Sequence, residues 1–118
     1  MGLLGRVHVA SFATGDVTSA GNYPAAADRI SLPAGALITR VYLTESTAFA
    51  GGTNVALAAG STALSATLAE GSSVAFNIIE PVAAQAKRTS ATEISLKSTG
   101  TYSAGAGTVH VEYIMEDL

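Results

Sequence analysis

The sequence predicts an all-β fold, namely one antiparallel β-sandwich domain that spans residues 1–118. Three observations predict it. About seven or eight short segments alternate apolar and polar residues, which is the period of a strand with one buried face. Glycine and proline turns separate these segments, and no stretch of the chain has a convincing helical pattern. The length of 118 residues is typical of a single domain, and no internal repeat suggests a propeller or a solenoid.

The first predicted strand is Arg6–Phe12, where the alternation is strict. We expect Val7 and Val9 to face the core, and Arg6 and His8 to face outward. Residues 13–28 have no periodicity and are rich in small and polar residues, so they predict a long loop or arm.

The strongest strand pattern covers Leu37–Glu45, which is rich in β-branched and aromatic residues. A short strand at Arg29–Leu32 and a proline–glycine turn at Pro33–Ala36 precede it. In Leu37–Glu45 the alternation predicts one inward face and one outward face. The inward set is Leu37, Thr39, Val41 and Leu43, and the outward set is Ile38, Arg40 and Tyr42.

Further strands are predicted along the rest of the chain, at Asn54–Ala58, Val74–Ile79, Thr92–Lys97 and Thr108–Ile114. Ser61–Glu70 fits either a helical turn or a strand, and its serine and threonine content favours the strand. Residues 81–90 fit a single helical turn or a surface loop. Residues 100–107 predict a second, flexible loop because they are rich in glycine.

Only 13% of the residues are charged, against about 25% in a typical domain. This shortage predicts that another subunit covers part of the surface, although serine, threonine, alanine and glycine would also make a neutral exposed surface. The net charge of −3 gives no reason to expect binding to nucleic acid or to an anionic membrane. The chain has no cysteine, no run long enough for a membrane span and no pattern of a signal peptide, and we expect no cofactor.

The two histidines, His8 and His110, are the candidate catalytic or metal-binding groups. If the first and last strands pair, these histidines could form a polar ladder with Arg6 and Glu112. A metal site would need a third ligand at a defined spacing, and none is evident. The sequence has neither a Gly-x-Ser-x-Gly elbow nor paired carboxylates, so we expect a polar face or a subunit contact and no enzyme.

Tyr23, Tyr42 and Tyr102 are the aromatic candidates for a binding surface, since Tyr113 fits the core. Contact with a partner subunit or simple half-burial is favoured over sugar stacking, because the chain has no tryptophan and few other aromatic residues. Tyr23 and Tyr102 lie in the two predicted loops and would anchor them if these loops become ordered on binding. The alternative is that both loops are linkers.

Several segments resemble small structural proteins of tailed bacteriophages. They are the turn and long strand of Ile30–Leu43, the glycine turn of Thr47–Thr53, the strand Val55–Leu57 and the closing strand Gly107–Ile114. Proteins of this kind are commonly capsid decoration proteins, also called cement proteins.

The resemblance implies a jelly-roll-like β-sandwich that assembles as a homo-oligomer, with a trimer favoured. It also implies binding to the major capsid protein on the outer head surface, hence a location in the virion after assembly in the bacterial cytoplasm. Two alternatives remain open at this point. One is a virion component associated with the tail, neck or fibres, and the other is a carbohydrate-binding β-sandwich module.

Overall fold

The computed structural model describes residues 3–68, 76–79, 81 and 87–117, without the side chains of residues 3–6, 76–79, 116 and 117. In these ranges there are nine strands and one short 3-10 turn, and no α-helix. The strands are β1 (Leu3–Ala13), β2 (Gly21–Tyr23), β3 (Ile30–Leu32), β4 (Ala36–Ala50), β5 (Asn54–Ala59), β6 (Thr62–Ala63), β7 (Phe76–Ile79), β8 (Thr92–Thr99) and β9 (Ala104–Asp117). The 3-10 turn is Ala26–Asp28.

The strands form two sheets in which all pairs are antiparallel. The long sheet has the order β1-β9-β4-β7, and the second sheet has the order β2-β8-β5-β6, with β3 also pairing with β8. Buried side chains of both sheets meet in one cluster. The predicted antiparallel all-β domain is therefore confirmed, while its jelly-roll character stays a prediction.

The core lies between the facing rows of the two sheets. Val109 and Val111 of β9 are fully buried, as are Leu57 of β5 and Ile94 and Leu96 of β8. These inward rows agree with the sequence pattern. Each such side chain stabilises the fold by about 1.5–3 kcal/mol relative to an exposed one.

In β4 the predicted facing is wrong at its beginning. Ile38 is 2% exposed and belongs to the core, whereas Leu37 is only half-buried. The register with β9 shifts between Ile38 and Arg40, so Thr39 is an extra residue in the ladder. Such a bulge moves the alternation by one position, and therefore Ile38 and Val41 share the inward face.

In β1 the predicted facing is also wrong. Val7 and Val9 are 62% and 60% exposed, and the buried residue of this strand is Phe12. Ala10 packs partly buried against the core on the same face as Phe12. Both faces of the strand carry apolar residues. The alternation therefore shows which residues share a face, but it does not show which face packs on the core.

Residues 13–28 are more ordered than the predicted loop. They contain β2, the 3-10 turn and a cis peptide bond between Tyr23 and Pro24. Val17 is fully buried, and its N–H donates to the carbonyl of Gly105 at 2.8 Å. This segment is therefore fastened to the core at its middle.

Residues 100–107 do not form the predicted flexible loop, because β9 already begins at Ala104. Tyr102 is buried and its ring meets that of Phe49 edge to face, with 5.5 Å between centroids and 86° between planes. Gly105 lies directly under the Phe49 ring, where a Cβ atom would come within 2.6 Å of a ring carbon. The glycines of this segment serve close packing.

The other predicted elements are described in part. Of Ser61–Glu70, Thr62 and Ala63 form β6, and residues 69 and 70 lie outside the described residues. Residues 74 and 75 of the predicted strand Val74–Ile79 lie outside them too, and so do residues 82–86 of the predicted turn or loop at 81–90. The molecule extends over 50 × 25 × 22 Å. None of the described residues forms a helix of the length and apolar character that a membrane span requires.

Candidate binding surface

The long sheet has one face on the core and one face without a covering layer in the described part of the chain. We call the second the outer face. It is built of three rows that each cross β1, β9 and β4 at paired positions. The rows are Val7–Ile114–Leu37, Val9–Glu112–Arg40 and Ser11–His110–Tyr42.

The first row is apolar, and Val9 extends it into the second. Val7 and Val9 are the most exposed large apolar side chains among the described residues. Ile114 and Leu37 beside them are half-buried. A contiguous apolar patch with a polar border is typical of a surface that contacts another protein.

The polar part of the outer face is ordered by hydrogen bonds around His110. The Ser11 hydroxyl and His110 Nδ1 are 2.8 Å apart, and the Thr44 hydroxyl and His110 Nε2 are 3.3 Å apart. Both ring nitrogens of His110 thus have hydroxyl partners, and these contacts fix the orientation of the ring on the outer face. Among the described residues no group of three or more acidic or histidine side chains is placed to hold a metal ion.

Arg40 and Tyr42 form a second ordered pair on this face. Arg40 donates through Nη1 to the Tyr42 hydroxyl at 3.0 Å, and its guanidinium carbon lies 5.9 Å from the centroid of the Tyr42 ring. Thr39, the bulge residue, donates to the Glu112 side chain at 3.1 Å. Arginine and tyrosine held in this way present rigid, amphipathic surface at a low entropic cost for binding.

The polar ladder of Arg6, His8, His110 and Glu112 does not form as predicted. The strands do pair, but His8 lies opposite Tyr113 and stacks on its ring with 5.2 Å between centroids. His8 is therefore on the core-side face of the long sheet, opposite to His110. The side chain of Arg6 lies outside the described residues.

Tyr23 does not belong to the outer face and lies in β2 of the second sheet. It lines an open concavity of about 630 Å³ formed by residues 13–16, 21–25 and 28. The Ser19 hydroxyl, 3.1 Å from the phenol oxygen, lowers the pKa of Tyr23 below its ordinary value. Asn22 beside it donates to the Gly60 carbonyl and to the Ser95 hydroxyl, so it holds β2 against the sheet.

Of the three tyrosines singled out from the sequence, only Tyr42 belongs to the outer face. Tyr102 is 2% exposed and packs within the core, so in this structure it presents no contact surface. The residues that sequence reasoning missed are Val7 and Val9, which were assigned to the core. The size of Phe12 on the other row of β1 was the signal that could have found them.

No protein-family model, no curated protein and no solved structure matches the chain in comparisons with known proteins.

Proposed function

We propose that this protein is a structural virion component, a capsid decoration protein that binds the outer surface of a bacteriophage head. The observation that carries the proposal is the outer face, on which Val7 and Val9 are exposed next to ordered polar rows. The phage setting comes from the resemblance of Ile30–Leu43 and Gly107–Ile114 to such proteins.

The outer face suits a function of binding alone. Its apolar row can exclude water at the centre of an interface, and its polar rows can form the rim. Arg40 and Tyr42 are of the residue types that most often dominate binding energy, and each already restrains the other. The major capsid protein is the proposed partner.

A head surface repeats the same site many times, so a small domain gains from association with its own copies. When linked copies bind neighbouring sites, the later contacts are intramolecular, and modest interfaces add up to firm attachment. The small share of charged residues, 13%, agrees with a surface that is largely in contact with protein.

The test is co-sedimentation with heads assembled from the major capsid protein of the phage that encodes this chain. The wild-type protein is compared with Tyr42→Ala and with Tyr23→Ala, which makes the same change on the second sheet. We expect saturable binding of the wild type, a loss of about tenfold or more in affinity for Tyr42→Ala, and wild-type binding for Tyr23→Ala.

Two results would overturn the proposal. If the wild-type protein stays in the supernatant at all concentrations, it does not decorate heads, and density for it at the tail or neck of virions would assign it there. If the two tyrosine variants bind equally well, the outer face is not the surface that contacts the capsid.

A further inference from the structure

β1 is the longest strand with a free edge among the described residues. It has 11 residues and stands at the end of the long sheet, next to β9 only. The outermost strands β7, β6 and β2 have 4, 2 and 3 residues. A long free edge offers a row of backbone hydrogen-bonding groups to another strand.

The hydrogen-bond pattern identifies which residues of β1 face this edge. The N–H of Thr14 donates to the carbonyl of Gly107 at 2.9 Å, just where the β1–β9 ladder begins. In an antiparallel ladder the bonded residues alternate, so Phe12, Ala10 and His8 direct their backbone groups to β9. Val7, Val9, Ser11 and Ala13 then direct theirs to the free edge.

The same four residues also place their side chains on the outer face, since their β9 partners, Ile114, Glu112, His110 and Thr108, alternate with the buried Val109 and Val111. Val7 and Val9 are therefore exposed in two ways, by side chain and by backbone. A strand added at this edge would form hydrogen bonds with the free backbone groups of β1 and would place its own side chains beside the two valines.

The devices that usually prevent strand pairing lie at the beginning of β1, where Arg6 and a register shift between Leu4 and Val7 precede a regular segment. The segment from Val7 to Thr14 has no aspartate, glutamate, lysine, arginine or proline. Its one titratable side chain, His8, projects to the other face. A second copy meeting this segment about a twofold axis would thus bring no pair of permanent like charges together.

We propose that β1 pairs antiparallel with β1 of a second copy about a twofold axis. With the axis at Ala10, the middle of the regular segment Val7–Ala13, Val9 of each copy lies opposite Ser11 of the other and Val7 lies opposite Ala13. The two long sheets become one continuous sheet, and the four exposed valines gain side-chain neighbours across the new strand pair while the outer face stays open. This contact is isologous, so the trimer that the resemblance implies would need a different, additional contact.

The inference does not depend on capsid binding, and its test uses the free protein. Amide hydrogen exchange is measured residue by residue by NMR at low and at high protein concentration. We expect the amides of Val7, Val9 and Ser11 to gain protection of about tenfold or more at high concentration. The amides of His8, Ala10 and Phe12 should be protected at both, because β9 already binds them.

Val9→Asp and Thr62→Asp provide the matched pair of variants, since each adds one negative charge at an exposed strand position. Val9→Asp should abolish the concentration-dependent protection. The aspartates of the two copies would lie diagonally across the joined strands on the same face, where their charges repel each other. Thr62→Asp, in β6 of the second sheet, should retain it. Protection of the Ala10 and Phe12 amides reports that each variant is folded.

The proposal is overturned if the Val7, Val9 and Ser11 amides exchange at the same rate at all concentrations. It is also overturned if Val9→Asp keeps the concentration dependence while remaining folded. Association through stacked outer faces would give the first result, because it leaves the edge amides open to water.

Discussion

Gly52 lies against the face of the Tyr102 ring, and this contact needs the absence of a side chain. A Cβ atom at position 52 would come within 2.0 Å of a carbon of that ring. Tyr102 in turn packs edge to face on Phe49. Gly52, Tyr102 and Phe49 are thus closely packed where the chain passes between the two sheets.

Gly52→Ala should destabilise the protein by about 3 kcal/mol, the upper end of the usual cost of overpacking, because the ring cannot move away without opening the core. Gly60→Ala is the control: no atom lies within 4 Å of a Cβ there, and its φ of +59° costs about 1–2 kcal/mol. Urea denaturation of both variants measures the free energies of unfolding. Equal losses would contradict the close packing at Gly52.

The Tyr23 phenol has a lowered pKa, and the Ser19 hydroxyl 3.1 Å from its oxygen is the main cause. Ser19→Ala removes the hydroxyl that contributes most to the lowered pKa, so the pKa of Tyr23 should rise toward 10.0. A titration followed by the NMR signal of the Tyr23 ring measures it. Thr62→Ala, which changes a hydroxyl away from Tyr23, should leave the pKa in place, and an unchanged value in Ser19→Ala would refute the assigned cause.

At the scale of the element, the bulge at Thr39 decides which residues of β4 enter the core. Ile38→Ala should cost about 2–5 kcal/mol, since it empties a fully packed site. Leu37→Ala, one residue earlier, should cost only about 1 kcal/mol because Leu37 is half-buried. Thermal or chemical unfolding of this neighbouring pair checks the facing, and the reverse order of losses would show that the alternation runs without a bulge.

The sequence was sufficient for strands in which only one row is apolar. In β8 the apolar residues Ile94 and Leu96 alternate with polar ones, and both are fully buried, as this alternation indicates. In β1 both rows are apolar, and only packing against β9 decides that Phe12 turns inward while Val9 turns outward. The alternation within β1 alone does not determine which of its faces is buried.

Glycine caused the wrong prediction of a flexible loop at residues 100–107. Gly105 and Gly107 resemble a loop in composition, yet they lie in β9, where missing side chains admit the Phe49 ring and the β4 backbone. The candidate surface was also predicted only in part. Tyr42 and His110 were recognised from the sequence, but the two valines beside them required the three-dimensional register.

At the scale of the molecule, the chain combines a scarcity of charges with an exposed apolar face and a free β1 edge. A chain with 13% charged residues has few means of keeping its own copies apart. The β1 edge borders the outer face, so association at the edge would double the width of the face offered to a capsid. This arrangement makes self-association the first requirement of the proposed function.

Sedimentation equilibrium of the wild-type protein over a wide concentration range tests this requirement most directly. We expect the mass to rise with concentration from that of one chain, 11.8 kDa, to twice that value or a higher multiple. A mass of 11.8 kDa at every concentration would contradict the account, because neither the edge nor the face would then associate.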